Sequence, residues 1–144
     1  MMLLSNKHIF IIEDNPQNRV IFQMSLIRDG ALVEFERWGR DTIAHAENAG
    51  RIDLVIMDLM LAQGISGFDL FNQLRAIPKF VDIPIVAVSA MDFAIAAPKA
   101  REMGFAGFIA KPIDNYLFAQ QIAMILDGRE VWYERKRTLS GGSV

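Results

Sequence analysis

Cysteine is absent from this chain of 144 residues. That excludes a disulfide framework, a thiol nucleophile and a thiolate metal site, and it leaves the redox compartment without a signature. No apolar run approaches the roughly 18 residues a membrane helix needs. The N-terminal MMLL gives way at once to Ser5, Asn6 and Lys7, shorter than a signal-peptide core. An excess of positive charge is missing too. With 15 basic against 17 acidic residues and a net charge of -2, the broad basic footprint of a nucleic-acid binder is not there, and direct DNA binding is not expected. Repeats, low-complexity tracts and internal linkers are likewise lacking. The expectation is a soluble, cytoplasmic protein with no membrane partner.

What is present is apolar residues, 52% of the chain, enough to bury the core of one domain of ordinary size. They fall in a regular order. HIFII (8–12) is a short apolar run ending in turn chemistry, as in a strand buried on both faces. Asn15 and Pro16 follow as N-cap and first helical position, and Val20, Ile21, Met24 and Ile27 recur at helical spacing until Gly30. The alternation continues with strands at 31–35, 53–57, 83–90 and 105–110. Between and after them come helices at 41–48 and 67–76, one ending at Gly104, and one at 116–126. Pro98 falls inside the fourth of these helices, so that helix is expected to start late, at Pro98, or to kink there. The order is (βα)5. Short apolar strands separated by helices imply parallel pairing with helices on both faces, since crossovers are right-handed.

In open parallel sheets, sites form at the carboxyl ends of the strands. Here Glu13 and Asp14 follow the first strand, Asp58 the third, Ser89 closes the fourth and Lys111 follows the fifth. Two unit charges about 4 Å apart at an effective dielectric near 20 repel by roughly 4 kcal/mol, so three gathered carboxylates need a cation or must take up protons. Oxygen ligands without His or Cys suit Mg2+ or a similar hard ion such as Mn2+. Lys111 adds a second positive charge and Ser89 a hydroxyl donor, which makes a constellation able to hold a phosphoryl group, with an aspartate available as nucleophile.

These residues resemble the receiver domain of bacterial two-component response regulators, over about residues 6–127. The resemblance rests on IIEDN, DLVIMDLML, GFDLF, IPIVAVSA and GFIAKPID, with 44 positions from Asp14 to Asp58 and 22 from Ser89 to Lys111. It implies a flavodoxin-like doubly wound sandwich with a five-stranded parallel sheet in the order 2-1-3-4-5. It also implies Asp58 as phosphoacceptor, and Mg2+ held by Glu13, Asp14, Asp58 and the backbone carbonyl of Met60. Ser89 and Lys111 would contact the phosphoryl group, Phe108 would stand at an aromatic switch position, and the Lys111–Pro112 bond would be cis. The phosphoryl donor would be a sensor histidine kinase or a histidine phosphotransfer protein, and the output would go to a further protein by altered contacts. A homodimer through the fourth helix, fifth strand and fifth helix belongs to the same implied repertoire. The domain would catalyse only its own phosphorylation and dephosphorylation, and so is not an enzyme in the usual sense.

Taken singly, each residue has an ordinary competitor. Glu13 and Asp14 also suit a solvated strand end before a helix, Asp58 a turn, Ser89 a satisfied hydroxyl, Lys111 a solvated lysine, and Phe108 plain core. Their co-occurrence favours the site. His8 and His45 have no ligand-like spacing and read as exposed or hydrogen-bonded bystanders. The sequence also departs from the family pattern. Ala62 stands where Pro is usual, and Gly67 lies nine residues after Asp58 where eight is usual, so LAQGIS makes a longer loop. Beyond the domain, 128–144 is expected to be partly helical, with Val131, Trp132 and Tyr133 prolonging the last helix, then a solvated basic run of Arg135, Lys136 and Arg137, then a disordered SGGSV. Two other functions compete. One is a phosphorylation-independent interaction module of the same fold. The other is a haloacid dehalogenase-like phosphatase, which wants an Asp two residues after the nucleophile, where this chain has Met60.

Overall fold

The computed structural model describes residues 2–37 and 41–135. Its strands are β1 (His8–Ile12), β2 (Leu32–Glu36), β3 (Leu54–Met57), β4 (Ile85–Ser89), β5 (Gly107–Ala110) and β6 (Val131–Tyr133). Its helices are α1 (Pro16–Arg28), α2 (Thr42–Asn48), α3 (Gly67–Arg75), α4 (Phe93–Met103) and α5 (Phe118–Leu126). All strand pairs are parallel, and the sheet order is β2-β1-β3-β4-β5-β6. The order reverses beside β1, which places the crevice between the ends of β1 and β3 at the switch point where such sheets bind ligands.

The apolar runs of β1, β3 and β4 are buried on both faces, which is why they lack polar alternation. Phe10, Ile12, Met57, Ala87 and Phe108 face the layer of α2, α3 and α4. Ile9, Ile11, Ile56, Val88 and Ile109 face α1 and α5. Each fully buried chain of this size contributes about 1.5–3 kcal/mol relative to exposure.

Three sequence expectations are corrected, namely the number of strands, the course of 131–133 and the late start of the fourth helix. The sheet has a sixth strand. Val131, Trp132 and Tyr133 form it instead of prolonging α5, because Gly128 at φ +91° ends the helix and Arg129 N donates back to Met124 O. The residues that follow are β-branched and aromatic, suited to a strand. Val131 is buried and Trp132 joins the core on the α4 side. The basic run at 136–137 and SGGSV lie outside the described residues.

α4 begins at Phe93, capped by Asp92 Oδ1 accepting from Ala94 N at 3.3 Å, and Pro98 sits within it. Buried Ala96, Ala97 and Ala100 hold the helix to the sheet, which offsets the missing N–H of Pro98.

In α1 the apolar spacing marks a helix but not its inner face. Val20, Ile21, Met24 and Ile27 are 42–70% exposed, whereas Phe22, Ser25 and Leu26 are buried. Phe22 stacks on Phe118 of α5 at 5.5 Å, which fixes the orientation.

Candidate functional site

The residues that follow β1 and β3 are turned into one crevice by their backbone neighbours. Asn15 caps α1, its Oδ1 accepting from Gln17 N at 2.9 Å and Asn18 N at 3.1 Å, and its own N–H donates to Glu13 Oε2 at 3.1 Å. Arg19, one turn into the helix, donates from Nε to Glu13 O at 2.7 Å, and its guanidinium lies 5.8 Å over the Phe35 ring. Arg19 escaped the sequence reading. Its one signal was an arginine in the first turns of a helix whose other charged residue, Arg28, stands at the far end.

Carboxylate oxygens of Glu13, Asp14 and Asp58 lie within 4.8 Å of one another. Glu13 and Asp58 are buried and Asp14 is half-buried. Lys111, delivered by β5, donates from Nζ to Glu13 Oε1 at 2.7 Å and to Asp58 Oδ2 at 3.0 Å. Burial pushes the Glu13 carboxyl up, and the hydrogen bond and charge of Lys111 offset this only in part. Burial by itself pulls the Lys111 ammonium down, but Glu13 and Asp58 together outweigh it and its pKa is raised. The ammonium is therefore charged, and one positive charge faces three carboxylates. The Lys111–Pro112 peptide bond is cis, as the resemblance implies.

The longer loop after Asp58 has a definite form. Gln63 (φ +63°) and Gly64 (φ +72°) are both left-handed, and Ile65 N donates to Ala62 O at 3.3 Å, which is a type I′ turn. Around it Leu61 N donates to Ile65 O at 3.1 Å and Gly67 N to Leu59 O at 3.0 Å, with Met60 opposite Ser66. The added residue thus builds a miniature hairpin. Met60 and Ser66 form its non-bonded pair, whose own N–H and C=O point out of the ribbon. The N–H of Met60 goes to Asp58 Oδ1 at 3.1 Å, and its carbonyl is not used by the hairpin. Asp14 Oδ2 accepts from Ala62 N at 2.6 Å, tying the loop to the first strand. Gly67 closes it, since a Cβ there would lie 2.7 Å from Leu59 Cα and closer still to Asp58 O.

Ser89 is buried, with Oγ accepting from Met91 N at 3.3 Å and its carbonyl accepting from Lys111 N at 2.9 Å. Its hydroxyl hydrogen remains available as a donor. Phe108 is fully buried, edge to face with Phe93 at 5.4 Å. The structure therefore brings Glu13, Asp14, Asp58 and Lys111 into one contact set, with Met60 and Ser89 beside them. Phe108 lies in the core on the α4 side. His45 stands apart, bonded to Glu36 and, through Nε2 at 3.1 Å, to Glu34.

The sequence model of the response regulator receiver domain family matches residues 9–123, and the chain belongs to that family. Among solved structures it is similar to the receiver domain of sensor histidine kinase PA1611 from Pseudomonas aeruginosa PAO1, a structure with a magnesium ion coordinated in its active site cleft. The TM-score is 0.72 at 25% identity, covering 86% of this chain and 99% of that one. Among curated proteins, the polar-differentiation response regulator DivK of Brucella anthropi is 28% identical over 120 residues, 83% of this chain and 96% of DivK. Probable histidine kinase 5 of Oryza sativa subsp. japonica is 21% identical over 145 residues. The match takes in 87% of this chain but 12% of that kinase, so the chain spans a small part of such a relative and nearly the whole of DivK. Among the described residues no helix is long and apolar enough to cross a membrane.

Proposed function

We propose that this receiver takes a phosphoryl group onto Asp58 in a Mg2+-dependent reaction and signals by altered protein contacts, without acting on any other substrate. The observation that carries the reading is the charge imbalance in the crevice, where three carboxylates within 4.8 Å share one ammonium. Such a donor set fits a hard divalent cation, Mg2+ or Mn2+. Glu13, Asp14, Asp58 and the Met60 carbonyl would hold it. When bound it supplies positive charge to the oxygens of the transferring group.

The chain's own residues do the rest. A carboxylate oxygen of Asp58 attacks the phosphorus of a phosphohistidine, the new O–P bond forms as the N–P bond breaks, and the imidazole leaves with the electron pair and takes up a proton. Lys111, already 3.0 Å from Asp58, faces the developing charge, and the Ser89 hydroxyl donates to a phosphoryl oxygen. The donor is a sensor histidine kinase or a histidine phosphotransfer protein. The exposed apolar face of α1, Val20, Ile21, Met24 and Ile27, begins one turn into the helix that follows Asp14 and supports the docking of a protein partner there. We place the protein in the cytoplasm, where such donors act, with no direct binding to DNA.

Intact mass after incubation with acetyl phosphate and Mg2+ tests the reading. The wild type gains one phosphoryl group, Asp58→Asn gains none, and omission of Mg2+ suppresses the gain. No gain with acetyl phosphate or with kinase donors, together with no beryllofluoride binding, would leave a phosphorylation-independent interaction module.

A further inference from the structure

We propose that β6 is a latch on the phosphoryl site: Trp132, docked beside Phe108 and across Arg101 of α4, holds the Phe108 ring in its buried place, so that occupancy of the Asp58 site and docking of β6 favour each other. The coupling rests on the reading of Asp58 as an acceptor.

Without β6, the sheet would end at β5 with Phe108 on its rim. Instead Val131, Trp132 and Tyr133 pair with Gly107, Phe108 and Ile109. Gly107 makes this approach achievable, since a Cβ there would overlap the carbonyl oxygen of Val131. Residues in register on adjacent parallel strands project to the same face, and Phe108 and Trp132 both pack into the core beneath α4. Trp132 is pinned from several sides. Arg101 lies 4.5 Å over its ring, its Nε1 donates to Glu130 at 2.8 Å, and Arg101 Nε is 3.8 Å from Glu130.

On its other side, Phe108 is in register with Ala87, two residues before Ser89, and lies three residues before Lys111. A phosphoryl group that draws the Ser89 hydroxyl toward Asp58 opens space on the α4 side of β4, which favours a buried Phe108. An outward Phe108 would take the space that Trp132 fills, so an outward ring and a docked β6 exclude each other. Linkage then makes the effect reciprocal, because whatever undocks β6 weakens the site by the same factor by which occupancy stabilises β6.

The test uses the full chain with Mg2+ and beryllofluoride. Affinity is read by 19F NMR, and docking by amide hydrogen exchange of residues 107–110 and 131–133. Trp132→Ala and Gly107→Ala are expected to speed exchange at 107–110 about tenfold and to weaken beryllofluoride about fivefold or more, and Trp132→Phe to restore both. Gly107→Ala keeps the indole and pushes on Val131 alone, so agreement between the two variants separates a lost latch from a folding defect. Unchanged exchange at 107–110, or wild-type affinity in a protein whose β6 has come loose, overturns the latch and leaves the acceptor reading standing. A wild type that binds no beryllofluoride takes down the acceptor reading and the coupling with it.

Discussion

Lys111 Nζ lies 3.0 Å from Asp58 Oδ2, a contact between the ends of two strands that do not neighbour each other in the sheet. β4 separates β3 from β5, and the lysine crosses in front of it to reach the carboxylate and, at 2.7 Å, Glu13. The ammonium is the one cation this contact set provides. Removing it leaves buried negative charge without a partner.

Lys111→Met is therefore expected to lower stability in metal-free buffer by about 3–5 kcal/mol, the range for a buried ion pair that loses one partner. Added Mg2+ should recover part of the loss. In the wild type, Mg2+ at about 100 times its dissociation constant should stabilise by about 2.7 kcal/mol, since it binds the folded chain alone. Urea unfolding with and without Mg2+ checks both. Asp14→Asn should abolish the metal increment, and an undiminished increment in that variant would remove Asp14 from the ligand set.

Gly67→Ala is expected to cost about 1–3 kcal/mol, as an added carbon does where backbone is already in contact. The new Cβ meets Asp58 O and Leu59 Cα, so the hairpin that presents the Met60 carbonyl must shift. Mg2+ affinity should fall along with stability. Equal Mg2+ binding in a destabilised variant would show that the hairpin does not shape the metal site.

His45 joins α2 to β2 through Glu36 and Glu34, with its ring edge to face on Phe10 at 5.3 Å. The hydrogen bond to Glu36 outweighs the opposing effect of burial and, with the charges of Glu36 and Glu34, raises its pKa above 6.5. A raised folded pKa means that the protonated imidazole stabilises the fold. The contribution is full below pH 6.5 and is lost as pH rises through the higher folded value. The stability difference between wild type and His45→Ala should accordingly be larger at pH 6 than at pH 9. A difference independent of pH would mean that only packing on Phe10 is lost.

Met60 and Met91 each stand two residues beyond a site residue, Asp58 and Ser89. Met60 is 58% exposed and Met91 half-buried. Met60→Asn with Met91→Glu is expected to shorten the lifetime of the phosphorylated state by about tenfold, on the order of 1.4 kcal/mol in the barrier. Loss of the phosphoryl group followed by mass decides it, and an unchanged rate sinks the screening idea.

Much of this molecule was legible along the chain. Strands buried on both faces appear as unbroken apolar runs, so β1, β3 and β4 were visible. The carboxyl-end rule then puts Glu13, Asp14, Asp58, Ser89 and Lys111 on one edge. The hairpin after Asp58 was half visible. An extra residue could be counted, and Gln63-Gly64 between Leu61 and Ile65 carries a turn signal, but the bridge of Met60 to Ser66 depends on where Gly67 must sit.

The sequence by itself determined the alternation of elements, the acidic and basic chemistry of the site and the spacing that gathers it, because these follow from local pattern and a general rule of parallel sheets. Tertiary structure alone decided the rest. Val20, Ile21, Met24 and Ile27 repeat as a buried face would, yet it is Phe22 stacking on Phe118 that turns the other side inward. Three residues, Val131, Trp132 and Tyr133, carry no period that tells helix from strand. They become a strand because Gly128 stops α5 and Gly107 leaves the edge of β5 open to them. Which face is buried, and which edge is covered, are relations between segments distant in the chain, and no local pattern encodes them.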